Sequence, residues 1–98
     1  MDFNFDIIAA CGLTQGEFAQ LTGASRGTVS NWVHGKSRPT AAYRLHVQKL
    51  LKVLTVAHDK GKLPGGIPTV YKGNMSSRRK YIRDTLKRTV SDIKRGVD

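Results

Sequence analysis

The chain has 98 residues, 39% of them hydrophobic and 24% charged, and its formal net charge is +10. This length suits one small domain with an appendage and excludes two independent cores. The positive charge indicates an anionic partner, with nucleic acid first and a membrane surface second. The best candidate for a membrane span, LLKVLTVA, is interrupted by Lys52 and is far shorter than the roughly 20 residues required.

The N-terminus MDFNFDIIAAC has no basic region, so no signal peptide is predicted. Cys11 is the single cysteine, which excludes an intramolecular disulfide and favours a small core residue. We therefore expect a soluble, cytoplasmic protein.

Charge is distributed unevenly along the chain. Residues 1–59 carry six Lys or Arg against four Asp or Glu, whereas residues 60–98 carry eleven against three. Between Phe18 and His58 there is no acidic residue, although all six bases of the first part lie there. The sequence therefore predicts a polarised surface in the first part and a strongly basic second part.

Three short helices are predicted before residue 36. The first covers Asn4–Cys11, with Asn4 as its cap and Gly12 closing it. Thr14-Gln15-Gly16-Glu17 has the form of a capping box, which predicts a second helix that ends at Gly23. Ser25 is the next cap, and Val29, Trp32 and Val33 recur at helical spacing until Gly35.

The second half predicts two longer helices separated by a Gly/Pro-rich segment. An amphipathic pattern predicts a long fourth helix from Ala41 to about His58. KGKLPGGIPTVYKGN is typical of a linker, in which IPTVYK is a candidate short strand. Ser76 or Ser77 then caps a helix to about Arg95. The predicted organisation is a domain at 1–59, a linker at 60–75 and a basic helix at 76–98.

Residues 14–39 fit two helices joined by a tight turn. Ala19 is small enough for a close helix crossing, and Gly23 tolerates the positive φ of the turn. Val29 and Trp32 face inward, with Trp32 predicted as a core residue. The opposite face of the third helix is short, polar and free of acids, and it consists of Ser25, Arg26, Gly27, Thr28, Ser30, Asn31 and His34.

These elements resemble the helix-turn-helix of the Cro/C1-type (Xre) family of phage and bacterial regulators. The resemblance covers Leu13–Pro39 well and extends weakly to Leu54. It implies an all-α, lambda-repressor-like domain, here with a long fourth helix, the Gly/Pro linker and a C-terminal basic amphipathic helix. Gly27 departs from the family, which often has a polar side chain there, and the family's usual fifth helix is not evident.

The resemblance implies roles for individual residues. It implies that Arg26, Gly27, Ser30 and Asn31 contact the bases, and that Arg26 is suited to bind guanine and Asn31 adenine. Phosphate contact, or bracing of the readers, falls to the remaining positions of the motif, namely Gln15, Ser25, Thr28, His34, Lys36, Ser37 and Arg38.

The last helix carries a narrow apolar stripe of Ile82, Leu86, Val90, Ile93 and Val97 inside a basic surface that includes Arg78, Arg79 and Arg83. Either the first four stripe residues form a dimer interface while the basic face flanks DNA, or the helix folds back on its own domain.

We expect a sequence-specific regulator of transcription that binds double-stranded operator DNA, a homodimeric repressor above all. Two alternatives stay open: an antitoxin whose C-terminal segment binds a protein partner, and a non-specific architectural nucleic-acid-binding protein. The histidines have no cysteine or carboxylate at metal-ligand spacing, so no metal or other cofactor is expected. No nucleophile–base pair is evident in the sequence, so enzymatic activity is not expected either.

Overall fold

A computed structural model describes residues 3–70, 73 and 75–96. Within these ranges there are no strands, and the helices are five: α1 (Asp6–Ala10), α2 (Gln15–Thr22), α3 (Arg26–Val33), α4 (Ala41–Asp59) and α5 (Met75–Lys94). The predicted all-α class is confirmed. Helix α4 contacts α1, α2 and α5, while α2 packs on α3.

Helix α1 is shorter than predicted and begins differently. Its N-cap is Phe5, which makes no side-chain capping hydrogen bond, so the prediction of Asn4 as the cap is wrong. The Phe5 ring packs instead on Phe18 and Trp32, with ring centroids 6.4 and 6.2 Å apart. Apolar contact with later helices therefore fixes this end of the chain in place of a local hydrogen bond.

The core lies between α1, α4 and the helix pair α2–α3. Cys11 is fully buried, and its thiol donates a 3.4 Å hydrogen bond to the carbonyl of Leu54 in α4. Burial, and to a lesser degree the negative charge of Asp59, raises the pKa of the Cys11 thiol to about 11. Cys11 is thus an inert core residue, which agrees with its prediction.

Helix α4 runs one residue beyond its predicted end. Its apolar stripe turns inward, and Val47, Leu51, Leu54 and Ala57 are buried. Tyr43 is half-buried and packs edge-on against Trp32, with ring centroids 5.6 Å apart. The central position of α4 makes it the support for both the helix pair and α5.

The segment after α4 packs against α5. Leu63 is buried in the core and Ile67 packs beside it. The Gly66 N–H donates to the Tyr81 hydroxyl at 3.0 Å, and the Lys62 ammonium lies 3.1 Å from an Asp92 carboxylate oxygen. No strand is present at 67–70, and Tyr71 and Lys72, the rest of the candidate strand, lie outside the described residues. The division of the chain at 59 and 75 stays a prediction.

Helix α5 folds back on its own domain. Ile82 and Leu86 of the apolar stripe are buried in the common core, whereas Val90 and Ile93 are half-buried. Val97 lies outside the described residues. Because Ile82 and Leu86 are already buried in this core, neither side chain is free to contact a second subunit in this arrangement. A dimer interface built on all four residues stays a prediction that requires α5 to leave this position.

Arg78 is the main correction to the sequence analysis. It was expected on the basic surface of the last helix, but its side chain is only 2% exposed. The guanidinium group donates to Glu17, to the Gly12 carbonyl at 2.9 Å and to the Pro68 carbonyl. One side chain thereby links α5 to α2, to the turn after α1 and to the segment before α5.

Candidate nucleic-acid interface

Local interactions set the position of α2. The Thr14 hydroxyl accepts from the Glu17 N–H at 3.1 Å, and Glu17 Oε1 accepts from the Thr14 N–H at 2.8 Å. This is the predicted capping box, and it is confirmed. Gly23 ends the helix with a φ of 82° and donates its N–H to the Ala19 carbonyl. A residue with a side chain would be strained at that φ, so glycine makes the tight turn to α3 possible.

Helix α3 is anchored along one side only. Val29 and Trp32 are buried, and the Trp32 ring stacks on Phe5 and meets Tyr43 edge-on. Ser25 caps the helix by accepting from the Thr28 N–H at 3.1 Å, as predicted. The inner side of α3 is thus held rigidly by the core, which leaves its outer side to face a partner.

Two of the predicted base-contacting residues on the outer side of α3 are available to a partner. Arg26 and Asn31 are exposed, and in the part of the chain that the structure describes their side chains make neither a hydrogen bond nor an ion pair. Gly27 is exposed between them in sequence, and a Cβ built there meets no atom within 4 Å. A guanidinium and a carboxamide of this kind match the hydrogen-bonding edges of guanine and adenine.

The other polar residues of α3 bond to one another. The hydroxyls of Ser25 and Thr28 lie 2.8 Å apart. His34 Nδ1 lies 2.8 Å from the Ser30 carbonyl oxygen and 3.3 Å from its hydroxyl. Ser30 and Thr28 are half-buried. These side chains are positioned to brace α3, and Ser30, predicted as a base reader, is less accessible than Arg26 or Asn31.

The loop after α3 is held against the end of the helix. The Asn31 carbonyl accepts from the N–H of Lys36 at 2.8 Å and of Ser37 at 3.4 Å. Lys36, Ser37 and Arg38 are all exposed, and Pro39 is buried behind them. Two cations and a hydroxyl are therefore exposed directly after the C-terminal end of α3, where they can contact a phosphate backbone.

The N-terminal end of α2 lies next to the start of α3. Gln15, the first residue of α2, is half-buried, and a Cβ atom added at Gly16 would lie 3.8 Å from Cδ of Arg26. Both helix N-terminal ends carry partial positive charge, which favours an anion nearby. Together with the Arg26 guanidinium they concentrate positive charge where α2 and α3 begin.

Glu17 is the acid closest to this surface in sequence, and its charge is matched internally. Burial raises the pKa of its carboxyl, but hydrogen bonds from Arg78 and from Thr14 outweigh burial and hold the pKa below its ordinary value. Glu17 is thus ionised at neutral pH and faces the guanidinium of Arg78 at 2.6 Å. Its negative charge consequently does little to repel a polyanion.

A helix-turn-helix family model matches residues 6–60, more than half of the chain. The chain belongs to the Cro/C1-type helix-turn-helix family. It is therefore a DNA-binding helix-turn-helix regulator, and double-stranded DNA is its partner. Searches of the curated proteins and of the solved structures gave no match. Among the described residues no helix is long and apolar enough to cross a membrane.

The Glu17–Arg78 pair is what the sequence analysis missed near this site. Glu17 was assigned only its capping role, and Arg78 was grouped with the surface bases. A signal was present, because Arg78 lies four residues before Ile82 and hence in line with the apolar stripe. A base on the apolar side of a helix indicates either a buried partner or a break in the stripe, and here the partner is 61 residues away.

Proposed function

We propose that this protein is a sequence-specific repressor that binds an inverted-repeat operator as a homodimer. The proposal is supported above all by the two sides of α3. On the outer side Arg26 and Asn31 are exposed and unpaired among the described residues, and the inner side is fixed in the core. Two such helices, one from each subunit, would enter successive major grooves about 34–36 Å apart. Occupancy of a promoter by such a dimer would exclude polymerase.

The proposed dimer needs a surface that is not already buried in the monomer. Ile82 and Leu86 lie in the monomer core, so we place the contact elsewhere than on the full stripe of α5. Leu45 is the most exposed large hydrophobic side chain of the described residues, at 69%, and it lies on α4 outside the core. Dimerisation on DNA rather than in solution is also compatible with a small apolar contact of this kind.

Selection of duplexes from a random pool tests the proposal. The selected duplex is then titrated against a shuffled control at about physiological salt, and the stoichiometry of the complex is measured by sedimentation. We expect a palindromic winner bound at least about a thousand-fold more tightly than the control, with two chains per duplex. Equal binding of all duplexes would overturn sequence specificity, and one chain per duplex would overturn the dimer.

The excess of eleven bases over three acids in residues 60–98 favours a second candidate, a non-specific architectural protein. That candidate predicts little preference among duplexes and release of all of them by salt. Deletion of residues 60–98 does not separate the two, because Leu63, Arg78 and Ile82 belong to the folded core. The packed helix α5 counts against an antitoxin tail that becomes ordered only on a protein partner.

A further inference from the structure

A groove of about 430 Å³ joins the start of α5 to the DNA-facing side of the helix pair. Thr14, Gly16 and Arg26 line one side of it, and Met75 and Arg79 line the other. Arg79, which the sequence analysis grouped only with the basic surface of the last helix, therefore shares a groove with Arg26. The first turn of α2 lines the same groove through Gly16 and adds the partial positive charge of a helix N-terminal end.

The groove has positive charge without a local counter-charge. Glu17 is the one acid that lines it among the described residues, and the carboxylate of Glu17 is bound by the Arg78 guanidinium. Across those same residues neither Arg26 nor Arg79 forms an ion pair. Two guanidinium groups that face one groove without an acid to neutralise them favour an anionic occupant.

Arg78 determines where Arg79 lies. Because the Arg78 side chain is fixed to Glu17, Gly12 and Pro68, the first turns of α5 are fixed relative to α2. The next residue, Arg79, is exposed at the rim of the groove. A second groove of about 500 Å³ shares Gln20, Arg79 and the Arg78-bound Glu17 with the first and continues along α5 to Arg83. This continuation gives an extended polyanion a path away from α3.

We propose that Arg79 binds a backbone phosphate of the duplex that α3 enters, on the side next to the first turn of α2. Helix α5 thereby extends the DNA footprint beyond the helix-turn-helix. This inference rests on the proposed function, because it uses the same duplex in the same orientation. A phosphate contact positions the protein and carries no sequence information, so Arg79 contributes equally on every duplex.

Arg79→Ala and Arg88→Ala are a matched pair for the test. Both residues are exposed on α5, and nine residues, about two and a half helical turns, put Arg88 on the side opposite Arg79. Each variant removes one positive charge, so a difference between them reports position rather than net charge. Arg79→Lys is a third variant, since an ammonium group still binds phosphate as a point charge. Circular dichroism and urea unfolding check that all three remain folded.

Affinity is measured from about 50 to 200 mM salt on the selected and the shuffled duplex. For Arg79→Ala we expect the slope of log K against log salt to fall by about 0.9 in magnitude, with the same fold-loss of affinity on both duplexes. Arg79→Lys and Arg88→Ala should retain the wild-type slope. Equal slopes for Arg79→Ala and Arg88→Ala would overturn the phosphate contact, as would a loss confined to the selected duplex. The two proposals fail separately, because the preference of the wild type for its selected duplex tests the regulator and the slopes test Arg79.

Discussion

The guanidinium group of Arg78 binds the carboxylate of Glu17 through two hydrogen bonds, from Nε to Oε2 at 2.9 Å and from Nη2 to Oε1 at 2.6 Å. Both side chains are buried, and Glu17 at the same time completes the capping box that begins α2. The pair therefore connects α5, which lies outside the matched family segment, to the first helix of the DNA-binding motif.

Replacement of Arg78 by Met should lower the free energy of unfolding by about 3–5 kcal/mol, because it leaves the Glu17 carboxylate buried without its charged partner. Urea unfolding followed by circular dichroism measures the loss. Arg78→Lys, which keeps the charge but not the paired geometry, should lose less and is the variant to use if Arg78→Met does not fold.

The double variant Glu17→Gln/Arg78→Met completes a double-mutant cycle, which measures the coupling between the two side chains. We expect it to be more stable than Arg78→Met alone, because the unpaired buried carboxylate is gone. Arg88→Ala serves as an exposed control and should change stability by less than about 0.5 kcal/mol. An Arg78→Met variant as stable as Arg88→Ala would contradict the structural role assigned to the pair.

The same pair predicts a specific dependence of stability on pH. The pKa of Glu17 is below its ordinary value in the folded protein, so the unfolded chain binds the proton more tightly. The stabilisation is therefore fully present above the unfolded pKa of about 4.3 and is lost as the pH falls through the folded pKa. The difference in free energy of unfolding between wild type and Glu17→Gln should be largest near pH 7 and shrink below about pH 4.

Urea titrations at several pH values, down to the lowest at which both proteins remain folded, provide this comparison. Asp92→Asn is a useful second variant. Hydrogen bonds from Arg95 and from Lys62 lower the pKa of Asp92 as well, so part of the acid sensitivity of the wild type survives in Glu17→Gln. A difference between wild type and Glu17→Gln that stays constant with pH would show that the carboxylate charge does not stabilise the fold.

Interactions within a few residues were predictable from the sequence. The Thr14–Glu17 capping box, the left-handed Gly23 and the Ser25 cap each depend on groups no more than four residues apart. Both ends of α4 and the C-terminal end of α5 were predicted to within about one residue, because their apolar periodicity persists over many turns. Together these features were enough to predict the helix-turn-helix, and the family match agrees. The start of α5 was predicted wrongly, because Ser76 and Ser77, its predicted caps, lie inside a helix that already includes Met75.

Contacts between distant parts of the chain were not predictable in the same way. Phe5 at the start of α1 contacts Trp32, and Arg78 contacts Glu17 across 61 residues. The composition of α5 fits both a solvated basic helix and a docked one, since only one of its many bases has a buried partner. Whether α5 is solvated or docked depends on Glu17 of α2, and the periodicity of α5 alone contains no information about that partner.

Substitution of a base-reading residue should change DNA binding differently from substitution of a phosphate-binding residue. Arg26→Ala should cost about 1–3 kcal/mol of binding free energy on the preferred duplex and relax the preference at one base position. Lys36→Ala should weaken all duplexes by a similar factor and lower the salt slope by about 1. Fluorescence anisotropy with the selected duplex and single-base variants of it separates the two patterns. Undiminished binding of the preferred duplex by Arg26→Ala would mean that another part of the protein reads the bases.

Gly27 allows stability and DNA binding to be changed in opposite directions. It lies in the first turns of α3, is exposed, and has open space where a Cβ would be, so Gly27→Ala should raise the free energy of unfolding by about 0.5–1 kcal/mol. If α3 enters the groove as proposed, the added methyl group meets base edges or sugars instead of solvent. We expect it to cost about 1–3 kcal/mol of binding to the selected duplex, the usual penalty for overfilling a close contact.

The shuffled duplex is the control for Gly27→Ala, because α3 is not seated closely against bases that it does not recognise. On that duplex the variant should bind like the wild type. Urea unfolding and anisotropy on the same preparations give both quantities. Greater stability with unchanged affinity for the selected duplex would mean that Gly27 is not close to the DNA, and base readout would then rest on Arg26, Ser30 and Asn31.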